Sequence, residues 1–173
     1  FIQTSDKLET SIPGIYAIGD VNGKNFFAHS ASAQGLAVVN QIQGIKSDID
    51  FNKHPINIYT YPEIAQLGKT QEILQNENIG FKINEFSLAS NGKALAEGET
   101  EGFLRILFEE KYGEVLGVQI VASNATDLIS EASAALQIEA TVFDVAKTVH
   151  AHPTVSEVFM EAGFDASGEP VHK

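Results

Sequence analysis

The chain has 173 residues, a formal net charge of −12 and a hydrophobic content of 43%. An acidic surface disfavours nucleic acid and anionic membranes as partners, and this apolar fraction is too high for a disordered chain. The absence of cysteine excludes disulfides and a thiolate nucleophile on this chain, and no apolar run reaches the ~20 residues that span a bilayer.

The chain starts at Phe1 without a methionine or a charged leader. We interpret this as the absence of a signal peptide and as the sign of a piece cut from a longer protein. We expect that protein to be cytoplasmic, with no membrane partner and no nucleic-acid partner.

The first predicted element is a short buried strand over residues 14–20, which follows the turn-forming Ile12-Pro13-Gly14. It ends at Asp20, and the carboxyl end of such a strand is where open α/β sheets bind ligands. An ordinary turn carboxylate is the alternative. A helix is predicted next, at about residues 27–43, with Leu36 on its apolar stripe and Gly44 as its cap.

The polar residues 45–55 indicate a linker, so we predict a domain boundary near residue 50, between units 1–50 and 51–173. The second unit has the pattern of an α+β fold, an antiparallel sheet packed against helices. Strands are predicted at 56–61, 64–68, 81–86, 102–109 and 115–122, and helices at 70–78, 124–139, 142–148 and 156–162. Thr141 and Asp144 are predicted as the cap pair and first-turn acid of the helix at 142–148. Residues 93–101 are expected to form an exposed acidic loop, and residues 163–173 a loosely held tail.

The segment with the strongest chemical pattern is His-Ala-His-Pro-Thr-Val-Ser-Glu, residues 150–157. Pro153 disfavours helical geometry at His152 and fits the start of a helix itself. Thr154 and Glu157 have the spacing of a capping box. This turn could bring the Glu157 carboxylate to the His152 ring, as in an oriented general base. The alternative is purely structural, a capping box beside a histidine in a turn.

These eight residues resemble the C-terminal signature of the dihydrolipoamide dehydrogenases, flavin-dependent members of the pyridine nucleotide-disulfide oxidoreductases. Glutathione reductases share the His-Pro-Thr but usually continue with two acidic residues, whereas Val158 follows Glu157 here. Three further segments resemble the same family: residues 10–20 its second flavin motif, residues 58–70 the start of its interface domain, and residues 116–120 the last central strand of that domain.

The resemblance implies a role for each candidate site residue. His152 would be the catalytic base, and Glu157 would orient it. Asp20 would hydrogen bond to the ribityl chain of FAD. The main chain of Phe27, Ala28 and His29 would lie near the pyrimidine side of the flavin. No metal site is implied.

The resemblance also implies a domain organisation. Residues 1–50 would be a remnant of the FAD domain, and residues 51–173 the interface domain of a homodimer. Gln34 stands where the family often has Glu, a mild departure that does not disturb the flavin motif. His150 would be a structural neighbour of the base, and His54 and His172 have no evident role.

In the parent enzyme, His152 would reach into the active site of the partner subunit. The enzyme would oxidise dihydrolipoamide, free or on a lipoyl-bearing protein, with FAD and NAD. This chain lacks a Gly-x-Gly-x-x-Gly motif and a cysteine pair, so we expect it alone neither to catalyse nor to hold FAD. Two alternatives remain open: a dimerisation module without activity, and the same part of a glutathione or mercuric reductase.

Overall fold

The computed structural model describes residues 1–46, 50 and 53–172. The chain divides into two compact units, Phe1–His54 and Pro55–Lys173. The predicted linker at 45–55 lies partly outside the described residues.

The first unit contains one α-helix, α1 (Ala28–Ile42), among its described residues, which confirms the predicted helix to within one residue at each end. Phe27 is its N-cap, and Gly44 follows its end with a left-handed φ of 74°. Glycine is common just after a helix because it adopts this conformation without a steric penalty.

The buried face of α1 differs from the predicted stripe. Ser30, Gln34, Ala37 and Val38 are buried, at the i, i+4, i+7 and i+8 spacing of one helix face. Leu36 lies away from that face and is 70% exposed. The inward positions therefore include two polar side chains that a search for apolar residues passes over.

The predicted strand at residues 14–20 is wrong. Tyr16 makes only an isolated bridge with Glu9, and Gly19–Asn22 forms a 3-10 turn. A strand needs a neighbour along its length to satisfy its backbone hydrogen bonds. Here the backbone of residues 15–17 hydrogen bonds to the short segment 8–10, across the turn at Gly14. Asp20 consequently lies on a 3-10 turn.

The second unit is built on a five-stranded antiparallel sheet with the order β1-β2-β5-β4-β3. This architecture confirms the predicted α+β class. Its strands are β1 (Ile56–Ile58), β2 (Glu63–Gly68), β3 (Phe81–Ser87), β4 (Phe103–Glu109) and β5 (Val115–Ala122).

In the part of this unit that the structure describes, five α-helices accompany the sheet: α2 (Gln71–Asn76), α3 (Gly92–Glu97), α4 (Ala125–Gln137), α5 (Val142–Lys147) and α6 (Glu157–Ser167). Helix α3 replaces the loop predicted at 93–101. The Asn91 side chain accepts from the Ala94 N–H, and Ala94 is buried, so both a cap and a core contact stabilise this turn. Helix α6 continues five residues beyond its predicted end, because Ala162 and Gly163 are buried.

Helix α4 packs on β2 and β5, helix α6 packs on β3 and β4, and α5 packs against α6. Between the sheet and the helices lies one apolar core that includes Leu104, Ile106, Val118 and Ile120. Arg105 instead hydrogen bonds across neighbouring strands to Glu85 and Gln119. Among the described residues, no helix is both long and apolar enough to cross a membrane.

Candidate functional site

The loop between α5 and α6, residues 148–156, carries the predicted acid/base motif. Helix α5 leads into it and begins with the capping box predicted from the sequence. The Thr141 hydroxyl accepts from the Asp144 N–H at 3.3 Å, and the Asp144 carboxylate accepts from the Thr141 N–H at 2.9 Å. This box stabilises the N-terminal end of the short helix, and the loop leaves from its other end.

His150 and Asn91 attach this loop to its neighbours. The His150 ring is almost buried; its Nε2 lies 2.6 Å from the Glu131 carboxylate on α4, and its Nδ1 lies 2.9 Å from the Thr148 carbonyl. The Asn91 side chain donates to the Thr154 carbonyl at 3.1 Å. Helix α4 and the start of α3 thus hold the loop on either side of His152.

His152 and Glu157 are in contact, although five residues separate them in the sequence. His152 Nδ1 lies 2.9 Å from Glu157 Oε1. The side chain of His152 is 76% exposed, whereas that of Glu157 is only 14% exposed. A carboxylate oxygen accepts hydrogen bonds, so Nδ1 carries the proton and a neutral ring has its lone pair on Nε2. Among the described residues, Glu157 alone hydrogen bonds to this ring.

The second oxygen of Glu157 is also occupied, since Oε2 accepts from the Thr154 N–H at 2.9 Å. Burial opposes the charge of this carboxyl. The hydrogen bonds from Thr154 and His152, with the charges of His152 and His150, nevertheless hold the pKa of Glu157 below its ordinary value. Glu157 is therefore ionised at neutral pH and presents a negative charge to the His152 ring.

Two details of the predicted local structure are wrong. Helix α6 starts at Glu157 with Ser156 as its N-cap, so Pro153 does not begin it. The Thr154 hydroxyl does not cap α6 but donates to the Ala151 carbonyl at 2.7 Å. Only the carboxylate half of the predicted capping box forms.

A second histidine–glutamate pair, not found from the sequence, lies beside the first. His172 Nδ1 lies 2.7 Å from Glu161 Oε1, and the His172 N–H donates to Glu161 Oε2 at 3.3 Å. The Glu161 side chain is only 8% exposed, and hydrogen bonding to it raises the pKa of His172. A glutamate on the inward face of a predicted helix was the available signal, because a buried carboxylate requires a partner.

Both pairs open into one cleft of about 220 Å³. Helix α6 and the residues around the start of α3 both contribute to its lining. It is lined by Ser90, Asn91, Gly92, Leu95, His152, Glu157, Glu161 and His172.

The other predicted site residues lie in the first unit. Asp20 is exposed on its 3-10 turn, where its carbonyl accepts from the Gly23 N–H. Phe27, Ala28 and His29 form the start of α1, and the His29 ring stacks on Phe27 at a centroid distance of 5.3 Å. The structure thus places these residues on one turn and on one helix end.

A buried amide pair supports the Asp20 turn, and it was also missed. Gln34 is completely buried, and its Oε1 accepts from the Gly19 N–H at 2.8 Å and from Asn22 Nδ2 at 2.9 Å. Asn22 Nδ2 also donates to the Ala17 carbonyl. Gln34 therefore holds both ends of the turn that carries Asp20.

His54, for which no role was expected, makes a structural contact in this unit. Its Nδ1 lies 2.9 Å from the hydroxyl of the buried Ser30 on α1. Burial lowers the pKa of His54, and the charge of His29 adds to the effect. Within the part of the chain that the structure describes, no group of three or more His, Cys, Asp and Glu residues could hold a metal ion.

The second unit is an antiparallel α+β domain in which an exposed imidazole contacts a nearly buried glutamate. Residues 54–163 match the model of the pyridine nucleotide-disulphide oxidoreductase dimerisation domain, and the chain belongs to this family. The resemblance read from the sequence is thereby confirmed.

The similar proteins carry consistent names. The chain is 44% identical over 162 residues to a dihydrolipoyl dehydrogenase of Cupriavidus necator, covering 94% of this chain and 34% of that protein. It is 40% identical over 172 residues to a mitochondrial dihydrolipoyl dehydrogenase of Mus musculus, covering 99% and 34%. The chain spans about a third of the length of the curated relatives it matches.

Solved structures show the same architecture. The crystal structure of LpdA from Mycobacterium tuberculosis matches with a TM-score of 0.89 at 28% identity, over 95% of this chain and 36% of that chain. The flavoprotein disulfide reductase RclA from Escherichia coli matches with a TM-score of 0.81, over 93% of this chain and 38% of that chain. At 18% identity, this second likeness shows the fold alone.

Proposed function

We propose that the whole protein containing this chain is a flavin-dependent dihydrolipoamide dehydrogenase, which converts dihydrolipoamide and NAD to lipoamide and NADH. The observation that carries the proposal is the 2.9 Å contact between His152 and Glu157, with an exposed ring on a nearly buried carboxylate. The names of the relatives, at 37–44% identity, support the same activity.

The chemistry of the pair suits thiol oxidation. A thiolate, not a thiol, reacts with a disulfide, so the substrate must lose a proton. His152 Nε2 would accept that proton, and Glu157 would stabilise the imidazolium that results. In the proposed homodimer, His152 acts in the active site of the partner subunit. The His152 side chain is 76% exposed in this chain, which supports a role outside its own subunit.

The residues of the first unit fit a flavin nucleotide. Asp20 presents an exposed carboxylate that can accept from ribityl hydroxyls. Helix α1 has no side-chain cap at its N-terminus, and Ala28 and His29 are exposed there. A helix N-terminus favours the electron-rich edge of a flavin ring. When bound, FAD would carry electrons from the thiols toward NAD. We propose that Asp20 and the main chain of Phe27, Ala28 and His29 hold it.

We propose a homodimer formed through the second unit, within the interface domain expected at residues 51–173. This unit exposes large apolar side chains on and just after its edge strand β1 and on the loop between α5 and α6. Examples are Ile58 at 47%, Tyr59 at 75% and Val149 at 91% exposure. Exposed apolar surface of this kind marks interaction sites, and the family is a dimerisation domain. The occupant of this surface would be a second copy of the chain.

The proposed homodimer suggests a second candidate function, dimerisation itself. Without cysteine, the chain by itself would dimerise without turnover, as an interaction module. Sedimentation at micromolar concentration tests this: a dimer is expected, and a monomer would contradict it.

The activity is tested with the whole protein, assayed in parallel with dihydrolipoamide plus NAD and with glutathione disulfide plus NADPH. Turnover with the first pair and background with the second is expected. The reverse result would assign the protein to the glutathione-type reductases. A mercuric-ion assay with NADPH, run beside these two, is expected to give background.

A further inference from the structure

The second histidine–glutamate pair, His172 and Glu161, lies one helical turn from the first. Glu157 and Glu161 are four residues apart on α6, so their side chains lie on the same face of adjacent turns. Both carboxylates line the same cleft. Their side chains are 14% and 8% exposed, so water screens their mutual repulsion only weakly.

Two like charges at this spacing and burial oppose each other's ionisation. Each of these carboxylates, however, has its own imidazole. His152 contacts Glu157 at 2.9 Å, and His172 contacts Glu161 at 2.7 Å. His172 also attaches its backbone N–H to the second oxygen of Glu161. The segment after α6 therefore returns to its own helix and brings a positive charge to the carboxylate next to the site.

The other charged side chains on α3 and α6 have partners of their own. Lys93 and Glu97 on α3 pair with each other at 2.8 Å, and Asp165, one turn beyond Glu161 on α6, accepts from the Asn84 side-chain amide at 2.6 Å.

The wall formed by the start of α3 contributes Ser90, Asn91, Gly92 and Leu95, which are uncharged. The loop contributes His152, and His150 acts on Glu157 from behind the loop. The hydrogen bond and charge of Glu161, and also the charge of Glu157, raise the pKa of His172. Among these described groups, His172 is the cation that contacts Glu161.

We propose that His172 neutralises Glu161 and thereby keeps Glu157 ionised, so that Glu157 can orient His152. Glu161 and His172 are positioning residues in this account, since they act through Glu157. Loss of the His172 charge would leave a nearly buried carboxylate uncompensated one helical turn from the pair. Ionisation of both glutamates would then be disfavoured, and Glu157 would become protonated at a higher pH.

The test follows the side-chain carboxyl of Glu157 by ¹³C NMR through a pH titration of the 173-residue chain. The Glu157→Gln spectrum assigns the signal. In His172→Gln, an amide can still hydrogen bond to Glu161 but carries no charge. We expect the Glu157 midpoint to rise by about 0.5–1 pH unit. In the double variant Glu161→Gln with His172→Gln, both charges are absent, and the midpoint should return to the parental value. The matched control His54→Gln, in the other unit, should leave it unchanged.

Two results would overturn the proposal. The first is an unchanged Glu157 midpoint in His172→Gln. The second is the same shift in the single and double variants, because that would show an effect of tail attachment and not of charge. This readout needs no cofactor or substrate, so its outcome is independent of the proposed dehydrogenase activity.

Discussion

The carboxylate of Glu157 bridges the His152 ring and the Thr154 backbone, at 2.9 Å to each. Glu157→Gln replaces one acceptor oxygen with an NH₂ group, so one of the two hydrogen bonds is lost. The negative charge is lost whichever way the amide is oriented, so we expect the preference of His152 for the Nδ1–H tautomer to weaken, which ¹⁵N NMR of the ring reports. Turnover of the whole enzyme should fall about 10²-fold. An unchanged ring spectrum would separate Glu157 from the orientation of His152.

The same carboxylate should make the fold sensitive to acid. Burial opposes its charge, but hydrogen bonds from Thr154 and His152 lower the pKa of Glu157 below its ordinary value. Its contribution to stability is therefore complete above the unfolded-state pKa of about 4.3. It is lost as the pH falls through the lower folded-state pKa.

Urea unfolding between pH 6 and pH 3 measures this effect. The parent should lose stability more steeply than Glu157→Gln over this range. The matched control is Glu72→Gln, at an exposed position on α2, and it should retain the parental slope. Equal slopes for Glu157→Gln and the parent would contradict the assignment.

The capping box of α5 provides a stability prediction. Thr141→Ala removes the hydroxyl that accepts from the Asp144 N–H, and it should lower the free energy of unfolding by about 1 kcal/mol. Ser133→Ala is the control, because its hydroxyl only donates to a carbonyl within its own helix; its cost should stay within about 0.5 kcal/mol. Equal unfolding free energies for Thr141→Ala and the parent would show that the cap contributes nothing.

Gln34 should control the turn that carries Asp20. Gln34→Leu leaves the Gly19 N–H and Asn22 Nδ2 without their shared acceptor, a loss of about 1–3 kcal/mol in local stability. Hydrogen exchange of the Gly19 amide should accelerate accordingly. Gln34→Glu keeps the acceptor and should preserve protection. Slow exchange in Gln34→Leu would show that the turn is held by something else.

The proposed dimer surface is tested at the edge strand β1. Ile58→Lys places a charge at an exposed apolar position and should raise the dimer dissociation constant at least tenfold, measured by sedimentation. The register of the sheet, with Ile58 opposite Ile64 and Ile64 opposite Val121, puts this position near the end of β5. Tyr112→Lys, exposed at the hairpin before β5, is the matched control and should dissociate like the parent.

The parts of the fold that the sequence predicted share a physical basis. Strands β2, β4 and β5 and helix α4 bury an apolar face, and burial with a period of 2 or 3.6 is readable in one sequence. The capping box at Thr141 and Asp144 is local and follows from spacing alone. The contact between His152 and Glu157 was predictable because it spans one tight turn.

The errors arise where contacts between distant segments decide the structure. The strand predicted up to Asp20 needs a partner along its whole length, which composition does not reveal. Helix α3 forms because Ala94 is buried, and Asn91, whose side chain caps α3, also reaches the loop near the site. The pairing of Glu161 with His172 joins residues 11 apart and has no local motif.

In the proposed enzyme, His152 is the base that accepts the proton of a substrate thiol. The turnover of the whole enzyme carrying His152→Ala, with dihydrolipoamide and NAD, is the measurement that decides this role. We predict a loss of about 10²-fold or more, with His54→Ala, the control in the first unit, close to the parent. Turnover of His152→Ala near that of the parent would remove His152 from the mechanism.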